Sequence, residues 1–176
     1  MKGQLIRELC EIDYFTNSHF DGVVTTETLG SIGRQQHFVI LNIHDHWIYL
    51  GRPSSATLEA FDPLGWQMQN TQPVLNNKAL LTGIAQIRIS KKSYQPIGST
   101  LCGEYCLFFA YMRLHHIDEP FSHVLSTIFS DDPSENETIV NNFCTRLLDE
   151  REQRLTPQDS DDVIDTTGRR EQDPLE

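Results

Sequence analysis

The chain is 176 residues long and 38% hydrophobic, which suits one domain with a sizeable core, or one domain with a tail. Its formal net charge of −11 argues against broad electrostatic binding of nucleic acid, and no run of about 18 apolar residues predicts a membrane span. The acidity is uneven. Residues 149–176 hold ten of the 25 acids against four arginines, and the one basic cluster is Arg88, Lys91 and Lys92.

Taken in order, Lys2–Glu11 places Leu5, Ile6, Leu9 and Cys10 on one face of a short amphipathic helix. Its polarity predicts no secretory signal. Asp13–Ser18 reads as turn, Phe20–Val24 as a turn with an extended piece, and Ser31–Gly33 as a break. Phe38–Ile43 is a continuous apolar run with β-branched residues and predicts a buried strand. His44-Asp45 interrupts it. Trp47–Leu50 and Thr57–Phe61 read as the next two strands, separated by the turn Gly51–Ser55 and stopped by Asp62-Pro63-Leu64-Gly65. Three short strands joined by tight connections predict an antiparallel meander.

Pro73–Leu81 is a predicted helix, and the alternation in Ile84–Ser90 suits a half-buried strand. After the loop Lys91–Leu101, an apolar run with Leu107, Phe108, Tyr111, Met112 and His115 predicts a buried helix from Cys102 to about His116. Phe121–Ser130 and Glu135–Glu152 read as two more helices, the second with Ile139, Val140, Phe143, Cys144 and Leu147 at helical spacing. From Arg154 onward the sequence is polar and acidic and is expected to be disordered. The expected organisation is a folded domain over 1–153 and an acidic tail over 154–176. The expected fold class is α+β, a small, mainly antiparallel sheet flanked by helices.

The four cysteines, Cys10, Cys102, Cys106 and Cys144, form neither a disulfide framework nor a zinc quartet, so reduced thiols in an intracellular compartment are expected. Cys102 stands where a loop of small residues meets a helix. Unpaired N–H groups and a positive partial charge at a helix start stabilise a thiolate, and the thiolate is the nucleophile. A cysteine hydrolase also needs a base, a group that orients the base and donors for an oxyanion. His46, at a strand start beside Trp47, is the leading base. A surface histidine at a strand end looks the same, and His37, His44, His115 and His116 are rivals on composition. Asp62 is the candidate orienter, because a hairpin brings its strand end beside His46; an Asp-Pro-Leu-Gly turn also accounts for it. Gln95, seven residues before Cys102, could aim its amide at a carbonyl oxygen over the sulfur, or could be a solvated loop residue. Gly103 permits close backbone approach beside the nucleophile. Cys106, one turn on, fits the core, and Trp47 packs and shields the histidine. A metal site from His44, His46 and a cysteine lacks a second closely paired ligand set, so no metal or other cofactor is expected for the chemistry.

In combination these residues resemble a known family. The order His46-Trp47, then Phe61-Asp62-Pro63-Leu64-Gly65-Trp66, then Gln95-x6-Cys102-Gly103 with Cys106 behind it resembles the adenovirus maturation protease (adenain) family. That family has His-Trp, Phe-Glu-Pro-Phe-Gly-Phe and a Gln-x6-Cys-Gly segment before an apolar helix. The likeness runs from the N-terminal helix and Tyr14-Phe15 through the helix around Asn142–Leu148. It touches more distantly the SUMO-specific proteases, which share His-Trp, Asp, Gln and Cys-Gly in that order.

The resemblance implies a cysteine endopeptidase with a papain-like arrangement of helix and sheet. In it His46 is the base, Asp62 its orienter, Cys102 the nucleophile and Gln95 the oxyanion-hole residue, with a thioacyl-enzyme intermediate. It also implies capsid and core precursor proteins as substrates, an activating peptide and DNA as activators, a monomer with no membrane partner, and a place in the virion and host nucleus. The chain departs from the pattern in three ways. The acid is Asp62 where adenovirus enzymes have Glu, as in the SUMO-protease branch. No cysteine lies between Cys10 and Cys102 to join an activating peptide by disulfide. The chain is acidic where the adenovirus enzyme is basic. A distant viral relative or a protease of a Polinton-type transposon fits these departures. The alternatives are a deSUMOylating or deubiquitinating isopeptidase of the same fold and a catalytically inactive interaction module; the intact His-Asp-Gln-Cys set counts against the latter.

Overall fold

A computed structural model describes residues 3–66 and 68–155. The acidic segment expected from residue 154 lies outside the described residues, except that Arg154 and Leu155 continue the last helix. The fold is α+β, a mixed five-stranded sheet flanked by helices.

The elements in order are α1 (Gly3–Ile12), α2 (Tyr14–His19), β1 (Phe20–Thr25), β2 (His37–Ile43), β3 (His46–Ser54), β4 (Thr57–Phe61), α3 (Met68–Leu75), α4 (Lys78–Leu81), β5 (Gln86–Ile89), α5 (Cys102–His115), α6 (Phe121–Ile128) and α7 (Pro133–Leu155). The sheet runs β1-β2-β3-β4-β5. The predicted meander is its centre, with β2–β3 and β3–β4 antiparallel. Both outer strands pair in parallel, β1 with β2 and β5 with β4. The antiparallel pairs are therefore confined to the middle, because the connections 26–36 and 62–85 are long enough to return the chain to the same end of the sheet.

Period-two alternation sends successive side chains to opposite faces. Phe38, Ile40, Trp47, Tyr49 and Phe61 join α1, α5, α6 and α7 in one apolar cluster. Val39, Leu41, Ile48, Leu50, Leu58 and Ala60 join Leu29, Ile32, Val74 and Leu80 in the other. A sheet buried on both faces explains why Phe38–Ile43 reads as an unbroken apolar run. On the first face α5 is apolar nearly all round, with Tyr105, Cys106, Phe109 and Ala110 fully buried, as a central helix must be.

Several boundaries differ from the sequence reading for local reasons. Asp13–Ser18 is mostly helix. Asp13 caps α2 by accepting the Thr16 N–H at 2.6 Å, and the six-residue helix is too short for its periodicity to register. The predicted helix 73–81 is split, because Asn77 leaves the helical path and caps α4 through the Leu80 N–H at 2.9 Å. Its Nδ2 also donates to the Leu29 carbonyl at 2.7 Å. α7 begins at Pro133, two residues early, behind Asp132, which accepts the Ser134 N–H at 2.8 Å; proline is favoured in the first helical turn.

Candidate active site

The start of β3, the end of β4 and the N-terminus of α5 meet at one end of the sheet. The antiparallel register makes the first two neighbours, since Tyr49 pairs with Phe61. His46 therefore opens one strand beside the point where Asp62 leaves the next. Its Nε2 lies 2.8 Å from Asp62 Oδ1. A carboxylate only accepts, so Nε2 carries the proton. The ring is also influenced by the neighbouring Cys102 side chain, and with Nε2 taken by Asp62 the nitrogen left for the sulfur is Nδ1.

Burial is the largest influence on the imidazole and by itself lowers its proton affinity. The hydrogen bonds to Asp62 and Cys102, with the negative charge of both, together outweigh burial and hold the value up at about 9. Both contacts favour the protonated ring over the neutral one. The rival histidines are engaged elsewhere. His37 meets Asp21 at 2.8 Å, His115 lies against Phe15 and Tyr111, and His116 meets Glu119 at 2.7 Å. His44 sits in the β2–β3 turn.

Asp62 is fully buried, and its surroundings are built to hold it. Its backbone N–H donates to Ser90 Oγ at 2.9 Å, and Oδ1 also accepts the Leu64 N–H at 3.0 Å. The Gly65 N–H returns to the Asp62 carbonyl at 3.0 Å, closing the Asp-Pro-Leu-Gly turn. Gly65 has φ +80°, and a Cβ there would stand 3.1 Å from the Ser93 amide and 3.2 Å from the Lys91 carbonyl. Glycine is required both by the backbone angle and by the packing of the turn on residues 91–93.

Cys102 is the first residue of α5, with 7% of its surface exposed. Leu101 precedes the helix and provides no side-chain cap. The first helical N–H bonded back is that of Tyr105, to the Leu101 carbonyl at 2.9 Å, so the amides of Cys102 and Gly103 have no partner within the helix. Gly103 is buried as the second helical residue. Cys106, one turn on, is fully buried and its thiol donates to the Trp47 carbonyl at 3.3 Å. Burial pushes that thiol well up, with smaller contributions from Cys102, Asp62 and Glu104. Cys10 and Cys144 are pushed up to about 12, mainly by burial. A thiol so raised is a poor nucleophile at neutral pH, which counts against Cys10, Cys106 and Cys144 as nucleophiles.

Gln95 is buried rather than solvated, at 1% exposure. Its side-chain N–H donates to the Ser99 carbonyl at 2.8 Å, and Oε1 has no hydrogen-bond partner. An amide carries two such protons, so one donor remains. The Ser99 hydroxyl donates to Glu137 Oε1 on α7 at 2.5 Å, which ties this loop to the helix bundle. Beside Cys102 a cleft of about 440 Å³ is lined by Val23, Asn42, Asp45, Trp47 and Thr100, with Gly3 at its edge. A Cβ on Gly3 would stand 3.2 Å from the Trp47 ring.

Three supporting residues escaped the sequence reading. Ser90 holds the Asp62 backbone. Asn136, fully buried, donates to the carbonyls of Tyr94 and Ser130 and accepts the Ser130 N–H. Glu137 anchors Ser99. A signal for Asn136 exists, since 136, 140, 143 and 147 extend the buried stripe of α7 by one turn, and a polar residue at a core position must serve a hydrogen bond. No group of three metal-ligating side chains able to hold an ion occurs among the described residues, and no helix there is long and apolar enough to cross a membrane.

No protein-family model and no curated protein matches the chain. Among solved structures it is similar to the central domain of the uncharacterized Lpg1148 protein from Legionella pneumophila. The identity is 18%, the match covers 76% of this chain and 87% of that one, and the TM-score is 0.42.

Proposed function

We propose that the chain is a cysteine-type endopeptidase of the adenain-like class, acting on structural precursor proteins of a virus or virus-like transposon, in the particle and host nucleus. The observation that carries the reading is the single imidazole influenced by both an acid and a thiol, with His46 Nε2 at 2.8 Å from Asp62 and the ring interacting with Cys102. The order of motifs described above supports the narrower assignment to adenain-like enzymes.

The chemistry follows from these contacts. Nδ1 of His46 takes the Cys102 proton, and Sγ attacks the scissile carbonyl carbon. The oxyanion is met by the backbone amides of Cys102 and Gly103 at the start of α5 and the remaining N–H of Gln95. The C–N bond breaks as Nδ1 returns the proton to the departing amine, leaving a thioester on Cys102. His46 then takes a proton from water as the hydroxyl adds, and the C–S bond breaks to release the acid and restore the thiol. Asp62 keeps the ring in register.

Labelling with an iodoacetamide probe or a peptide aldehyde tests the site. Wild type should react rapidly at Cys102, and Cys102→Ala should not react. Equal labelling of both would sink the catalytic reading. Incubation with structural precursors, with and without DNA and peptide activators, tests the substrate class. The choice of Asp62 rather than Glu as the acid favours a second reading, a deSUMOylating or deubiquitinating isopeptidase. Release of a ubiquitin-like C-terminal tail, with no cut in precursor proteins, would select it.

A further inference from the structure

We propose that Asp45 selects a basic side chain, lysine or arginine, in the substrate segment that crosses the cleft beside Cys102; the inference rests on the peptidase reading above. Asp45 lines that cleft together with Cys102. The other lining residues, Gly3, Val23, Thr25, Asn42, Trp47 and Thr100, carry no charge. Asp45 is exposed, and among the described residues its carboxylate makes no ion pair and no side-chain hydrogen bond. An unpaired carboxylate thus faces the space a substrate must occupy.

Its position is fixed by the backbone. Ile43 and His46 are paired in register, so His44 and Asp45 alone form the β2–β3 turn, with φ of 47° and 66°. Both residues of such a turn must be left-handed. Asparagine would meet that demand at least as well as aspartate, so the turn does not account for the charge. Being the residue before His46, Asp45 cannot move far without moving the base.

The surroundings favour a cation. Trp47 offers an apolar wall against which the stem of a lysine or arginine can lie while its charged head reaches the carboxylate. The formal charge of −11 over the whole chain favours approach of basic over acidic segments to the protein.

The test is cleavage of a mixed peptide library by the full chain, with the cut products sequenced. Wild type should prefer lysine or arginine over alanine at one position near the scissile bond by about three- to tenfold, with the preference shrinking as salt rises. Asp45→Asn keeps the turn and should abolish the preference. Asp45→Lys should shift it toward glutamate, and if that variant fails to fold, Asp45→Asn decides. A wild-type profile indifferent to basic residues, or a basic preference surviving in Asp45→Asn, overturns the assignment to Asp45 while leaving the peptidase intact. A wild-type chain that cuts no peptide overturns the peptidase reading and this inference together.

Discussion

The carbonyl oxygen of Pro63 accepts the backbone N–H of Gln95 at 3.0 Å. The same oxygen accepts the Tyr94 N–H at 2.8 Å. Pro63 follows Asp62 directly, so the segment that presents Asp62 and the segment that presents Gln95 are hydrogen-bonded as one unit. Asn136 of α7 holds the Tyr94 carbonyl from the other side at 3.1 Å. The two residues lie far apart in sequence, and this joint, with Ser93 Oγ donating to both the Pro63 and Gln95 carbonyls, makes their positions interdependent.

Gly65 is the most sensitive point of that unit. Gly65→Ala places a side chain at φ +80° and against the backbone of residues 91–93. A loss of about 1–3 kcal/mol in denaturant unfolding is expected. Activity should fall as well, because Asp62 shifts with its turn. An unchanged denaturation midpoint would show that the turn relaxes freely.

Asp62 sets the protonation of His46. The folded imidazole, at about 9, lies above the ordinary value near 6.5. The pairing therefore stabilises the fold fully below the unfolded value, and that contribution is lost as pH rises through about 9. In Asp62→Asn the hydrogen bond to a carboxylate and its charge are gone, while burial remains and lowers the value. An NMR titration should place the His46 transition lower than in wild type, and the alkaline limb of the pH–rate profile should move down with it. The rate of peptide hydrolysis should fall by on the order of 10² or more.

Gln95→Ala should separate oxyanion stabilisation from thiol activation. Loss of one such donor lowers kcat by about 10²–10³. Alkylation of Cys102 forms no oxyanion and should keep nearly its wild-type rate. Parallel loss of both would make Gln95 a support for the loop rather than a donor.

The buried pair Glu59–Arg113 anchors α5 to β4. The Arg113 Nε lies 2.7 Å from Glu59 Oε2, with 1% and 0% of the side chains exposed, and Arg88 adds a contact at 3.3 Å. Arg113→Met leaves Glu59 buried with only its outer partner, and about 3–5 kcal/mol of stability should be lost. The double variant Arg113→Met/Glu59→Leu should recover much of that loss. Urea unfolding of the set measures the difference.

Much of the candidate site is legible in the sequence. The helix beginning at Cys102 follows from its apolar content and the loop of small residues before it. The meander follows from three apolar segments parted by turn residues, and it brings the starts and ends of neighbouring strands together, which is why His46 and Asp62 could be paired in advance. Gln95 was singled out by its spacing from Cys102, but its burial was not evident, because nothing local shows that Pro63 and Asn136 enclose its loop.

Local pattern thus determines the helices, the central strands and the candidate site residues, since periodicity and turn chemistry act between residues close in the chain. The tertiary structure alone decides the parallel outer strands, the burial of Glu59 against Arg113 and the tie of Ser99 to Glu137. It alone also decides which of several histidines meets Cys102. These depend on contacts between residues distant in sequence, whose partners are selected only when both faces of the sheet are covered and each buried polar group must find a hydrogen bond.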